Sequence, residues 1–452
     1  MFTKVRNAFK IKDIRDRLIF TFFALIIVRI GCAITIPGIN PELIKSYFDS
    51  FAGADLLGAF SGGSLETMSI FALNISPYIT SSIIMQLLTI AIPKLEELHN
   101  DGEDGRKKIA EITRYVTVIL AVIQSAAMSI GFANSGYLNK DFKTIAIIVI
   151  SMTAGSAFLM WLGENITEKG VGNGISVILL INIVSRMPKD MYNLYLQFIK
   201  GADNTVNSVI GAAVIIAVIL FVVVFVVILQ DAERRIPVQY SKKVQGRKMV
   251  GGASSHIPLK VNTAGVIPVI FASSLLQLPI IVSQFFGINP ASGMITNADG
   301  EKVHATVWQM MLKMFSQDSW FNFQSFSEFK YTLGLVVYVA LLVFFAYFYT
   351  SITFNPIEVS NNMKKQAGFI PGIRPGKPTT DYLTHVLNCV IIIGVAGLAI
   401  VAVIPIFFQG KFDANVSFGG TSIIIVVGVV IETLKQVESR MLVRHYKGFL
   451  ND

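Results

Sequence analysis

Ten mostly apolar runs, most of them long enough to cross a bilayer as a helix, recur along this chain: residues 18–36, 69–92, 115–132, 144–162, 171–184, 206–229, 264–286, 331–354, 387–408 and 418–431. A bilayer core needs about 20 apolar residues in a helix. The runs are apolar on all sides, so they read as buried spans and not as one-sided surface helices. Only 15% of the 452 residues are charged while 53% are hydrophobic. A soluble domain carries about 25% charged residues, and a disordered chain far fewer apolar ones. Both of those classes are excluded, leaving a polytopic all-α membrane protein.

Lys and Arg set the orientation. With the N-terminus inside, 27 of the 38 Lys and Arg residues fall on inside segments and 10 on outside ones, with Arg29 inside the first run. Both termini are therefore expected in the cytoplasm. The first 17 residues are charged and lack a small-residue cleavage pattern, so the first run is expected to be retained. Cys32 and Cys389 both sit in apolar runs with no metal-ligand spacing, and read as buried thiols packing as small apolar groups.

Ten spans divide into two fives, a first half over 1–190 and a second over 191–452, with the hinge expected around 187–204. An odd number of spans per half makes the halves inverted repeats. The fifth run of each half is short and glycine-rich at its start (Gly172 and Gly174; Gly419 and Gly420). The second run of each half contains a proline, Pro77 or Pro268, followed two residues later by Ile79 or Ile270. Such matched interruptions point to a pathway between repeats, although Gly and Pro are frequent in membrane helices generally.

That pathway lacks the groups an ion-coupled transporter places at membrane depth. Apart from Arg29, no run contains an acidic or basic residue, so no carboxylate is there to take a proton or sodium ion. No GxxxxGK[ST] phosphate loop is present either. A secondary transporter with inverted repeats remains the alternative class, and a mid-membrane carboxylate would be its signature. Ile75 and Ile79 share a helix face, as do Ile267 and Ile270. Facing each other they would make a narrow apolar waist that gates by dewetting; facing lipid they would be ordinary membrane surface.

Four stretches resemble one family over essentially the whole chain: FSGGSLETMSIFALNISPYITSSIIMQLL from Phe60, GNGIS at Gly172–Ser176, PLKVNTAGVIP at Pro258–Pro268 and FIPGIRPG at Phe369–Gly376. They are similar to the SecY family, the pore subunits of bacterial protein-translocation channels in the cytoplasmic membrane. The resemblance implies a non-enzymatic hourglass of two five-helix halves, carrying unfolded polypeptide across the membrane and sideways into it. It needs no cofactor or metal. The implied waist is Ile75, Ile79, Leu179, Ile270 and Ile425, with Leu179 where isoleucine is more usual. The implied plug is a short helix at about 57–67, including Leu57, Phe60, Ser61, Gly62, Gly63 and Leu65. The implied lateral gate lies between spans 2–3 and 7–8, with Thr80, Ser81, Gln86, Gln124, Asn262 and Thr263 as candidates for hydrogen bonds across the seam, roughly 0.6 kcal/mol each.

Two long inside loops complete the picture. The first, 230–261, carries Arg234, Arg235, Lys242, Lys243, Arg247, Lys248 and Lys260. Such a cluster fixes topology, holds anionic lipid or meets RNA phosphates. In the second, 355–384, prolines and glycines shape a tip around Arg374. The resemblance implies that these loops dock the SecA ATPase and the ribosome. It also implies SecE-like and SecG-like subunits, with signal peptides, nascent polypeptides and membrane lipids as further partners.

Overall fold

The computed structural model describes residues 9, 11–39, 42, 44, 61–134, 136–138, 141–200, 205–240, 243–245, 248–250, 254–285, 294–296, 302–304, 307–316, 320, 329–412 and 420–448. A helix lies under each of the ten apolar runs. These are α1 (Lys12–Ala33), α2 (Ser76–Ala91), α4 (Glu103–Asn134), α5 (Phe142–Lys169), α6 (Gly174–Leu194) and α7 (Thr205–Asp231). Then follow α8 (Ile267–Phe285), α10 (Leu333–Thr353), α12 (Lys377–Phe412) and α13 (Gly420–Gly448). Among the described residues three shorter helices lie between them: α3 (Pro93–Asn100), α9 (Val307–Phe315) and α11 (Pro356–Lys365). By length and composition, the stretches Glu103–Asn134, Phe142–Lys169, Gly211–Asp231, Leu333–Lys365 and Lys377–Ile404 suffice to cross a membrane. The α2–α3 pair, bent by 105°, adds a sixth if it is one span.

The second helix departs from its run in an instructive way. Ser69 forms an isolated bridge with Thr35 and residues 70–75 form turns, not helix. Met68 and Asn74 adopt left-handed backbone (φ 45° and 50°), which a continuing helix cannot contain. Pro77 therefore starts α2 rather than interrupting it, and Pro268 likewise sits at the second position of α8. Proline is tolerated there because the first N–H groups of a helix have no intrahelical partner. At the other end Pro93 holds Ile92 extended (φ −112°, ψ 112°), which breaks the helix and produces the bend into α3.

The fifth helix is longer than its run. It continues through Pro188 to Leu194 and then as one turn of π-helix over Tyr195–Lys200, so the expected hinge region is helical up to Lys200. Cys32 is buried as expected, but Cys389 is exposed on the outside of α12.

One apolar core joins helices from both ends of the chain. Val28, Ile75, Leu159, Ile178, Val226, Ala272, Leu342, Val401 and Ile424 all belong to it. In contrast, Ile216, Leu220, Phe221, Val224 and Ile228 of α7 are exposed, the distribution a bilayer rewards and water does not. Among the described residues early and late helices meet where α8 packs on α2 and α4 and where α6 packs on α13.

Helix α6 approaches α5 closely because Gly174 has no side chain. A Cβ there would meet the carbonyl oxygen of Gly163. Gly174→Leu is expected to destabilise the protein by about 3 kcal/mol or more, since an overpacked backbone contact cannot relax cheaply. Detergent-extracted yield and thermal unfolding of the variant check this, and a wild-type melting curve would contradict it.

Among the described residues seven strands lie outside the helices: β1 (Glu233–Tyr240), β2 (Lys243–Gln245), β3 (Lys248–Val250), β4 (Ser254–Lys260), β5 (Met294–Thr296), β6 (Lys302–His304) and β7 (Gly368–Phe369). β1 pairs antiparallel with β4, Ile236 opposite Ile257, and with β7, Gln239 opposite Phe369. The order β4-β1-β7 thus joins the 230–261 loop to the 355–384 loop. Ile236, Val238, Leu259, Met363, Ile370 and Leu383 form a separate small core beneath it.

Candidate pore and its flanking surfaces

Ile75 caps the start of α2, and the Ile79 amide donates to its carbonyl at 3.0 Å, placing the two isoleucines one turn apart. Ile75 and Ile425 are fully buried, Leu179 and Ile270 nearly so, and Ile79 packs against the same core. All five waist candidates thus belong to a single apolar body drawn from α2, α6, α8 and α13.

A cavity of about 60 Å³, room for a few waters, opens beside this body. Ile79, Leu179 and Ile270 line it, together with Ser61 and Leu65 from the segment before α2 and Gln124 from α4. The structure therefore gathers members of three separately expected sets around one space. Ile75 and Ile425 belong to the same core but do not line the cavity. Gln277 of α8 and Asn74 also line the cavity; Gln277 lies two turns beyond Ile270, so helical periodicity could have found it, whereas Asn74 sits in a turn that no periodicity marks.

Of the segment expected to be a short helix, only residues 61–67 are described, and Ser61 among them is helical. Leu57 and Phe60 lie outside the described residues. Residues 62–67 form successive turns, with Gly62 and Gly63 at φ 63° and 85°, conformations natural to glycine. The Ser64 hydroxyl donates to the carbonyls of Ser61 (2.8 Å) and Phe71 (3.0 Å). Beyond it, the Ile36 amide donates to Met68 and the Ile70 amide to Ile34, both at 3.0 Å, tying the segment to the end of α1.

The polar residues expected to bridge the lateral seam bond mostly to their own segments. Thr80 donates to the Ser76 carbonyl, Gln86 to the Ser82 hydroxyl, Asn262 to the Gly265 carbonyl and Thr263 to the Lys260 carbonyl. Ser81 donates at 2.9 Å to the Thr113 carbonyl, joining α2 to α4 on one side of the seam. Serine and threonine on helices routinely satisfy themselves this way. Gln124 is buried, and its Nε2 has no hydrogen-bond partner among the described residues.

Among the basic candidates, Arg234 and Arg235 are exposed on β1, and Arg235 pairs with Glu233 at 2.7 Å. Lys243 lies on β2 and Lys248 on β3, while Lys242 and Arg247 lie outside the described residues. Arg374 is exposed on a tip with Gly372 at φ 82° and Gly376 at φ 105°. The Thr379 hydroxyl donates to the Arg374 carbonyl at 2.9 Å, and Ser360 donates to that of Gly376 at 3.1 Å. These bonds fix the tip's backbone and leave the guanidinium free to project.

Sequence reasoning missed a cross-connection near the GNGIS stretch. Asn173 caps α6 by accepting from the amides of Ile175 and Ser176, and the Gly172 amide donates to Gln436 Oε1 of α13 at 2.7 Å. Lys435, its neighbour, pairs with Asp231 at the end of α7 at 2.6 Å. No spacing signals contacts more than 200 residues apart.

The comparisons with known proteins fit this arrangement. The SecY family profile matches residues 69–434. The chain is 41% identical over 460 residues to the protein translocase subunit SecY of Bacillus subtilis, covering all of both chains. Among solved structures, a protein-conducting channel matches with a TM-score of 0.57 at 18% identity, covering 94% of this chain and 92% of that one. The Sec61 channel of a canine ribosome–channel complex from the endoplasmic reticulum matches at 0.57 and 17% identity, over the same shares. These two share the fold; the full-length sequence match goes further. With the profile covering most of the chain and a full-length relative at 41% identity, this chain belongs to the SecY family.

Proposed function

We propose that this chain is the central subunit of a protein translocase, a non-enzymatic channel that passes unfolded polypeptide across a membrane and laterally into it. The observation that carries the reading is the cavity shared by Ile79, Leu179, Ile270, Ser61, Leu65 and Gln124. An apolar constriction beside a small cavity, between helices from both ends of the chain, suits a route that is sealed at rest. Full-length relatives that are translocase subunits leave the secondary-transporter alternative unsupported.

In this reading all ten helices cross the membrane as two inverted fives, 1–190 and 191–452, with both termini in the cytoplasm of a bacterium. Ile75, Ile79, Leu179, Ile270 and Ile425 form the waist, and the 57–67 segment is the plug. The lateral exit lies where α2 and α4 meet α8 and α10. Since none of the hydrogen bonds described for the seam's polar residues crosses from α2 and α4 to α8, apolar packing holds it shut, and a signal peptide's apolar helix can replace that packing in kind. The β1–β4 sheet and the Arg374 tip face the cytoplasm and receive SecA or the ribosome, and the canine relative is itself a ribosome–channel complex. SecE-like and SecG-like subunits and lipids cover the outward helix faces, and the partners supply the energy.

Ile425→Cys, in an otherwise cysteine-free chain, is expected to crosslink to a stalled translocating polypeptide. A cysteine at exposed Ile393 on α12 is expected not to. Crosslinking at Ile393 alone would refute a central route.

A further inference from the structure

The outer end of α6 holds the turn segment before α2 by two contacts that the waist does not require. Gly62 lies so close to α6 that a Cβ there would stand 2.9 Å from the Asn182 Cα. Four residues on, Glu66 makes a two-point ion pair: one carboxylate oxygen is 2.7 Å from Arg186 and the other 3.0 Å from Lys189. The Arg186 and Glu66 side chains are only 10% and 18% exposed. Asp190, 6% exposed, stands 3.7 Å from the same arginine.

We propose that Glu66, Arg186 and Lys189 are a latch, positioning residues that hold the 61–67 segment over the waist in the closed channel. The proposal rests on the reading of that segment as the plug. A pair this sheltered is screened by salt far less than an exposed one, so it holds at physiological ionic strength. It is also built to release. When Glu66 leaves, Arg186 retains Asp190, so opening does not strand a bare buried cation, the costly outcome of breaking a buried pair. The Ser64 bonds to the Ser61 and Phe71 carbonyls keep the segment's own turn closed, so Gly62 and Glu66 let go together.

The test is the resting ion conductance of the purified complex in planar bilayers, with deletion of residues 61–67 as comparator. Glu66→Gln is expected to raise the frequency of open events about tenfold, since it removes one partner of a largely buried pair. Arg186→Gln should match it, and the double variant should be no worse than either single, because both remove one interaction. Lys189→Gln, at an exposed position that cannot unfold the protein, should give a smaller rise in the same direction. Additive effects in the double variant would overturn the latch. So would silent Glu66 and Lys189 variants beside a leaky deletion, with the plug reading intact. A silent deletion would overturn the plug reading itself and the latch with it.

Discussion

Replacing Ile79 and Ile270 together by glycine is expected to raise the resting ion conductance of the reconstituted channel by about tenfold or more, because a waist shorn of branched side chains stays wet. Both residues line the same small cavity, and one comes from α2 and the other from α8, so the double change widens it from two helices at once. Glycine costs about 1 kcal/mol in a helix interior, and each lost side chain removes packing comparable to the 2–5 kcal/mol of large-to-small core changes. Extracted yield must therefore be followed beside conductance. A folded variant that conducts no more than the parent at rest would remove the gasket from the mechanism. If these isoleucines only packed helix on helix, stability would fall and conductance would not move.

Arg374→Glu is expected to lower motor-driven export at least tenfold, the signature of a charge that meets a partner directly. The side chain is exposed, and the hydrogen bonds that shape its loop run to backbone carbonyls of Arg374 and Gly376, which the substitution leaves in place. Folding stability should change by no more than about 0.5 kcal/mol, as for most surface substitutions. Export of a signal-bearing substrate from inverted vesicles, measured beside the protein's melting temperature, separates the two. Normal export by the variant would contradict the docking role, and loss of folding would contradict the structural account of the loop.

The helices were legible because their signal is local: a run of apolar side chains suffices, and a helix lies under every run. What interrupts helices was less so. The turns at 70–75 are as apolar as the helix that follows, and only the left-handed backbone at Met68 and Asn74 separates them. Pro77 and Pro268 were visible, but a proline that starts a helix and one that kinks it look alike without the start being known. The waist candidates came from family likeness, and packing then gathered them into one core. The Glu66–Arg186 pair, the Gly172–Gln436 bond and the β1–β7 pairing join residues about 120 or more positions apart, and no periodicity connects such partners. The last rests on two residues of β7, too short a strand for alternation to reveal.

That short strand carries a mechanical consequence. Through β1 it clips the connection between α7 and α8 to the one between α11 and α12, over a common apolar floor. A push on the Arg374 tip is therefore not absorbed by a floppy tether. It is delivered as torque to the ends of several helices at once, among them α8, which forms one wall of the cavity. A motor grasping a single projecting arginine would thus have leverage on the wall itself.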